Sequence, residues 1–355
     1  MNPLGRHRSL PLILTVVAAV QVAATSCASR DADAPVPPDA PGIIDYSVAA
    51  RGITAPPGAP VVTTENIPEF RIWAYCFSQY NYFTLMDGTV VKRTGLNSWT
   101  YSPAVEWPDR PVIFTAVSPA DIDVSVNPYW REMIRYYQCD GKEDLLVARI
   151  YNPLQTSGRL KLHFHHALCM VTVQLRTSLP AGTVRVRSVH VCNVTTSGDY
   201  LFPDSGTNGA TPEEITAGWD IYGMSSRTAL FDSPEGTLLD GSPLAADNQG
   251  RYFFIPSRLG KFDFDTYYNS SYLEVQYRIE NADGTTSWPD ASTDRVLLSP
   301  DNPGYGVLRL PLGDTLPENR WYSGRCYSYS VDLSAPATVP SGRLIRVSVK
   351  DRDCK

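Results

Sequence analysis

The feature that most limits what this chain can fold into is a two-residue hydrophobic period. It recurs from residue 42 almost to the end. In GIIDYSVAAR, Ile44, Tyr46 and Val48 share one face; in EFRIWAYCF, Phe70, Ile72, Ala74 and Cys76 oppose Arg71, Trp73 and Tyr75. Side chains alternate faces along a strand, so this pattern buries one side of a sheet and cannot form a helical stripe. RPVIFTAVSP, DLLVARIY, GRLKLHFHH, ALCMVTVQLRT, TVRVRSVHVCNV, GRYFFIPS, SYLEVQYRI, YGVLRLPL and RCYSYSVDL continue it. Turn signals such as MDG, ADG and SPDNPG fall between them. Only NPYWREMIRYY reads as a helix, with Asn127 as cap and Pro128 in the first turn. Many short strands imply an all-β protein built of β-sandwiches. The 20 Tyr, 7 Trp, 11 Phe and 29 Pro suit that class.

A chain of 355 residues exceeds one typical core, so two domains are expected. The boundary is placed at LPAG, giving 42–181 and 182–355, with long loops between Phe202 and Gly250. The N-terminus stands apart from the fold. Arg6 and Arg8 precede an apolar run, Leu10 to Val22, of signal-peptide length and short for a membrane span. Residues 1–26 read as that signal. AATSC then ends at Cys27, which resembles a lipobox whose cysteine receives lipid. Residues 27–41, with APVPPDAP, read as a semi-extended tether. The protein is therefore expected outside the cytoplasm, anchored to a membrane.

Several functions are disfavoured by what the chain contains. The net charge of -6, without a basic block, argues against nucleic-acid binding. HExxH, GxSxG, P-loop and GxGxxG motifs do not occur; Gly304 and Gly306 form a lone GxG. His190 alternates within a strand, so no catalytic triad is supported. No enzyme activity and no cofactor are expected. The seven cysteines include no CxxC; setting Cys27 aside leaves six that an exported chain could pair, in a connectivity the sequence does not fix.

Three of the five histidines, His163, His165 and His166, stand within four residues, with Cys169 close behind. Imidazole and thiolate are common metal ligands. The alternation changes parity across His166, however, which suggests a bulge or strand break. The expectation is that His166 bonds a backbone group there, that His163 and His165 are solvated, and that no metal binds. Cys169 to Leu175 is expected as a core strand of the first sandwich.

Several of these words, in this order, resemble the fimbrillin family of type V pilin-like surface lipoproteins. The lipobox Cys27 comes first, then a strand ending in Arg51. WTYSPAVEWPDRPVIFTAVSPAD, DLLVA at Asp144 to Ala148, FHHALCMVTVQL, FFIPS (with Ser257 where the family often has Gln) and WYSGRCYSYSVDL follow. The resemblance implies two tandem transthyretin-like β-sandwich domains. It implies a structural or accessory subunit of surface fimbriae that supports adhesion, exported to the outer membrane as a lipoprotein. It also implies a cut by an Arg-specific protease between Arg51 and Gly52, which would remove the strand carrying Ile44, Tyr46 and Val48. A strand from another subunit would fill the groove. The candidate donor is 343–350, where Ile345, Val347 and Val349 alternate with Arg346, Ser348 and Lys350. The implied partners are other fimbrial subunits, the protease and the outer membrane. A different reading is a glycan-binding surface lipoprotein that does not polymerise. It would use aromatic clusters such as Tyr80, Tyr82 and Phe83, or Tyr267, Tyr268 and Tyr272.

Overall fold

Ile44, Tyr46 and Val48 are buried, while the neighbouring Ile43 is 57% exposed, so the two-residue period is also the period of burial. The structure is a computed structural model. It describes residues 42–50, 67–77, 82–95, 98–125, 132–152, 158–240, 244–245, 251–263, 269–314, 316–337 and 346–348. All of them lie in one compact unit. Cys27, Arg51, Gly52, Ile345, Val349, the signal and the tether lie outside the described residues.

The first part of the chain gives β1 (Asp45–Ala50), β2 (Glu69–Phe77), β3 (Tyr82–Gly95), β4 (Ser98–Thr100), β5 (Val112–Ser118), β6 (Met133–Gln138), β7 (Leu146–Asn152) and β8 (Arg159–His166). All but β6 join one sheet in the order β1-β8-β7-β5-β2-β3-β4. β7 and β8 share only the pairs Leu146↔His166 and Val147↔His165, so the sheet turns a corner there. The corner folds β1 and β8 over β2, β5 and β7. Between them lies a core of Ile44, Tyr46, Phe70, Ile72, Phe114, Leu162 and Phe164, among others.

The rest gives β9 (Cys169–Arg176), β10 (Val184–Cys192), β11 (Val194–Leu201), α1 (Pro212–Thr216), β12 (Trp219–Ser225), β13 (Thr228–Leu238), β14 (Leu244–Ala245), β15 (Arg251–Phe254), β16 (Tyr272–Glu280), β17 (Thr286–Trp288), β18 (Gly306–Pro311), β19 (Cys326–Asp332) and β20 (Arg346–Ser348). Two sheets face each other. One is β13-β10-β16-β17 with β18 on β16; the other is β14-β9-β19-β20 with β15 on β9. Their shared core includes Val173, Val189, Val275, Leu310, Trp321 and Tyr329.

A third, small sheet, β12-β11-β6, covers the back of the first. Trp73, Tyr75 and Val147 point to that side and pack with Ile134, Tyr200, Phe202 and Ile215. Strands β2, β5 and β7 are therefore buried on both faces. β10 and β11 are nearly continuous, interrupted at Asn193 (φ 53°), so one stretch of chain serves both the two facing sheets and the small one.

Three expectations are corrected here. NPYWREMIRYY does not give a helix over its described part: Met133–Gln138 is β6, paired antiparallel with β11, because Ile134 and Tyr137 have a core to cover. MDG is a bulge within β3 and not a turn; Gly88 takes φ +65° where Trp73 crosses it. Cys169 to Leu175 is not part of the first sheet. Every ladder partner of β9 is C-terminal to it: β19 in parallel, β14 and β15 antiparallel. The break at Ala167 and Leu168 sends the chain from one set of sheets to the other.

On the outer face of β10 and β16, His190 sits between Ala229 and Glu274. Burial, with Arg227 nearby adding to it, lowers its imidazole to about 4. The folded protein keeps His190 neutral where the unfolded chain protonates it near 6.5. Its contribution is thus fully present above that value and is lost as pH falls toward 4. His190→Gln is expected to flatten the pH dependence of thermal melting across this window.

Candidate functional site

β1 is the element whose attachment bears most directly on function. It lies parallel to β8, with Tyr46 opposite Leu160, Val48 opposite Leu162 and Ala50 opposite Phe164. Among the described residues, its far side is held near the N-terminal end. Ile44 donates its N–H to the Val105 carbonyl (2.9 Å), Trp107 donates to the Gly42 carbonyl (3.1 Å), and the Tyr101 hydroxyl donates to the Ile44 carbonyl (2.8 Å). Tyr46 has no exposed surface. Its ring makes edge contacts with Phe70 and Tyr101, at centroid distances of 5.7 and 5.5 Å, and its hydroxyl reaches the Met86 sulfur at 3.2 Å. Burial pushes that phenol far above its ordinary pKa. Asp45 pairs with Arg159 at the rim. The WTYSPAVEW segment thus acts as a wall: Tyr101, Val105 and Trp107 clamp β1 against β8.

At the other end of the chain, β20 pairs antiparallel with β19 through Ser328↔Ser348, Tyr329↔Val347 and Ser330↔Arg346. Val347 is thus in a strand; Ile345 and Val349 flank it outside the described residues. β1 and β20 belong to different sheets, so the structure does not bring the two candidate exchange strands together.

The remaining motifs meet at the crossover between the sheets. Ala167 donates to the Leu145 carbonyl (2.8 Å) and accepts from Trp219 Nε1 (2.8 Å) and Ser323 Oγ (2.9 Å). Gly324 donates to the Leu168 carbonyl (2.8 Å), and Ser323 donates its N–H to Thr216 Oγ1 (2.8 Å) at the end of α1. Trp321 donates its N–H to the Ser257 carbonyl (3.0 Å), and its indole to the Tyr329 hydroxyl (3.0 Å). DLLVA, FHHAL, FFIPS and WYSG are therefore neighbours in space. Their shared task is to satisfy the backbone of a chain segment that leaves one sheet for another.

The histidines belong to this junction. His166 Nδ1 bonds the Asp144 carboxylate, with both side chains buried. That partner replaces the backbone group expected for His166. His165 is buried rather than solvated; His163 is exposed. Among the described residues no cluster of His, Cys, Asp and Glu is arranged to hold a metal. Cys76, Cys139, Cys169 and Cys192 are free thiols. The Asp144–His166 pairing joins two motifs 22 residues apart, and nothing in the spacing announces it.

Of the aromatic clusters considered for glycans, Tyr80, Tyr267 and Tyr268 lie outside the described residues. Tyr82 falls in β3. Phe83 is exposed beneath the Arg110 guanidinium, 5.6 Å from its centroid, and Tyr272 is half-buried, edge-on to Phe262.

The sequence profile described as fimbrillin-like matches residues 62–351. The chain belongs to the fimbrillin-like family. That match begins after Arg51 and includes β20. Among solved structures, a candidate cell adhesion protein of Parabacteroides distasonis is 10% identical, with a TM-score of 0.47 over 85% of this chain and 93% of that one. One from Bacteroides ovatus is 9% identical, with a TM-score of 0.47 over 83% and 93%. A fimbrial protein, also of Bacteroides ovatus, is 12% identical, with a TM-score of 0.39 over 84% of this fimbrillin-like chain and 51% of its own. At these overlaps the assignment rests on the family match. No curated protein matches the sequence.

Proposed function

We infer that this fimbrillin-like protein is a subunit of a surface fimbria that supports adhesion. It reaches the outer membrane as a lipoprotein carried on Cys27, loses β1 by a cut between Arg51 and Gly52, and assembles by strand exchange. The observation that carries this reading is the way β1 is held. It buries Ile44, Tyr46 and Val48 in the first core, ends at the residue before Arg51, and lines up beside one strand, β8. Its departure would leave an apolar slot and a row of unpaired backbone groups, the acceptor for an added strand.

The donor is the segment 343–350 of a second copy or a related subunit. Its Ile345, Val347 and Val349 supply three apolar side chains at the same period. Burying three such side chains contributes about 5–9 kcal/mol as an upper figure, before the ladder hydrogen bonds. The self-pairing of β20 with β19 must be released for this to happen. The two-domain reading belongs to the same proposal, with the boundary moved from between 181 and 182 to the break at Ala167 and Leu168, so that β9 joins the C-terminal domain.

Treating the purified protein with an Arg-specific protease is expected to give a new N-terminus at Gly52, followed by heat-stable ladders on a gel. Arg51→Ala is expected to stay uncut and membrane-bound. A cut protein that remains monomeric overturns the assembly reading.

A further inference from the structure

The outward face of the small sheet carries a patch that neither the core nor strand exchange uses. Tyr136 on β6 is 71% exposed and Tyr222 on β12 is 55% exposed, with ring centroids 6.5 Å apart and planes inclined at 65°. Asp199 on β11, between them, organises both. Its Oδ1 accepts the Tyr136 backbone N–H at 2.7 Å and the Tyr222 hydroxyl at 3.1 Å. Tyr136 has φ 54°, a costly conformation for a bulky residue, and it turns the ring outward where plain alternation would not.

Two further features of the patch lower stability without helping the core. Asp199 stands directly opposite Asp220 in the β11–β12 ladder, and facing like charges destabilise a sheet. Neither carboxylate has an ion-pair partner among the described residues. Arg135, next to Tyr136, has its Nε on the Met133 sulfur at 3.1 Å. β12 is also the terminal strand of its sheet, and it exposes Ile221, Tyr222 and Met224. The β11–β12 ladder shifts register between Ser197 and Gly198, which leaves Tyr222 as the extra residue on β12.

We propose that this face is a docking site for a protein partner bearing lysine or arginine on an extended segment, which adds to the edge of β12. Charge complementarity selects the occupant. Two carboxylates without an ion-pair partner among the described residues, beside two tyrosine faces, are suited to a cation, which gains ion pairing and cation–π contact together. Among the described residues no strand pairs with the outer side of β12, so its main chain can hydrogen-bond an extended chain, which a free cation or a sugar would not use. The site lies on the third sheet, away from β1, and works whether or not β1 is exchanged.

The test uses the full chain in its uncut Arg51→Ala form, so that its outcome is independent of strand exchange. Calorimetry compares a short capped peptide of alternating lysine and valine with one of alternating glutamate and valine. The lysine peptide is expected to bind, and to bind more weakly at high salt. Tyr222→Ala and Asp220→Asn should each weaken it about tenfold, while Phe83→Ala, exposed elsewhere, leaves it unchanged. Circular dichroism checks that each variant is folded. Absent binding, equal binding of the glutamate peptide, or full affinity in both site variants overturns the proposal. A neutral oligosaccharide that binds through Tyr222 and ignores Asp220→Asn would also overturn it, assigning the face to sugars.

Discussion

Tyr46→Ala is expected to cost about 3–5 kcal/mol of folding stability, the range for truncating a large buried aromatic. The ring is fully buried, wedged against Phe70 and Tyr101, and its loss opens a cavity under β1 that the rigid walls around it cannot close. Urea unfolding of the uncut protein measures this. The same substitution should leave the stability of protein cut after Arg51 unchanged, since on the strand-exchange reading β1 departs after the cut and takes Tyr46 with it. A loss in both forms would mean that β1 stays in place after the cut, and the strand-exchange reading would fail.

The second large effect is expected at the crossover. Asp144→Ala strands His166 in a buried site, and His166→Ala strands Asp144; removing one partner of a buried pair costs about 3–5 kcal/mol. Among the described residues, the second oxygen of Asp144 and His166 Nε2 have no hydrogen-bond partner, so neither group has an alternative to fall back on. The double variant should cost much less than the sum of the singles, because both orphaned groups leave together. Additive losses in a denaturation cycle would show that the two residues act separately. Asp144→Asn, which keeps an acceptor for His166, should fall between wild type and Asp144→Ala.

The strands that were legible in the sequence are those whose side chains alternate in type. RCYSYSVDL became β19, where that alternation mirrors alternation of burial, while EFRIWAYCF and SYLEVQYRI became β2 and β16, whose alternation sorts side chains between two faces that are both largely buried. The all-β class followed from those. β12 was hidden because none of its residues is buried, so it has no period of burial to detect. α1 lay in what read as loop, although Thr211 and Glu214 form a capping box that spells out its start. β6 was masked by a good helix-start signal that pairing with β11 overrides. β9 was recognised as a strand but given to the wrong set of sheets, since alternation reports a face and says nothing about which neighbours supply the ladder. For the same reason the Tyr136–Tyr222 patch was invisible: it is assembled from β6, β11 and β12, and depends on a backbone angle that no residue type dictates.

The parallel pairing of β9 with β19 sets an order of events during synthesis. Met170 meets Cys326, and Leu175 meets Val331, so β9 waits for more than 150 intervening residues before its central neighbour exists. Until then a strongly apolar segment, CMVTVQL, has only β14 and β15 to cover it. The first sheet closes on partners that end at His166, and it can form as soon as β8 has emerged. The chain therefore matures from its N-terminal end, and the last strands to arrive decide whether the exposed interval of β9 ends in a native sheet or in aggregation.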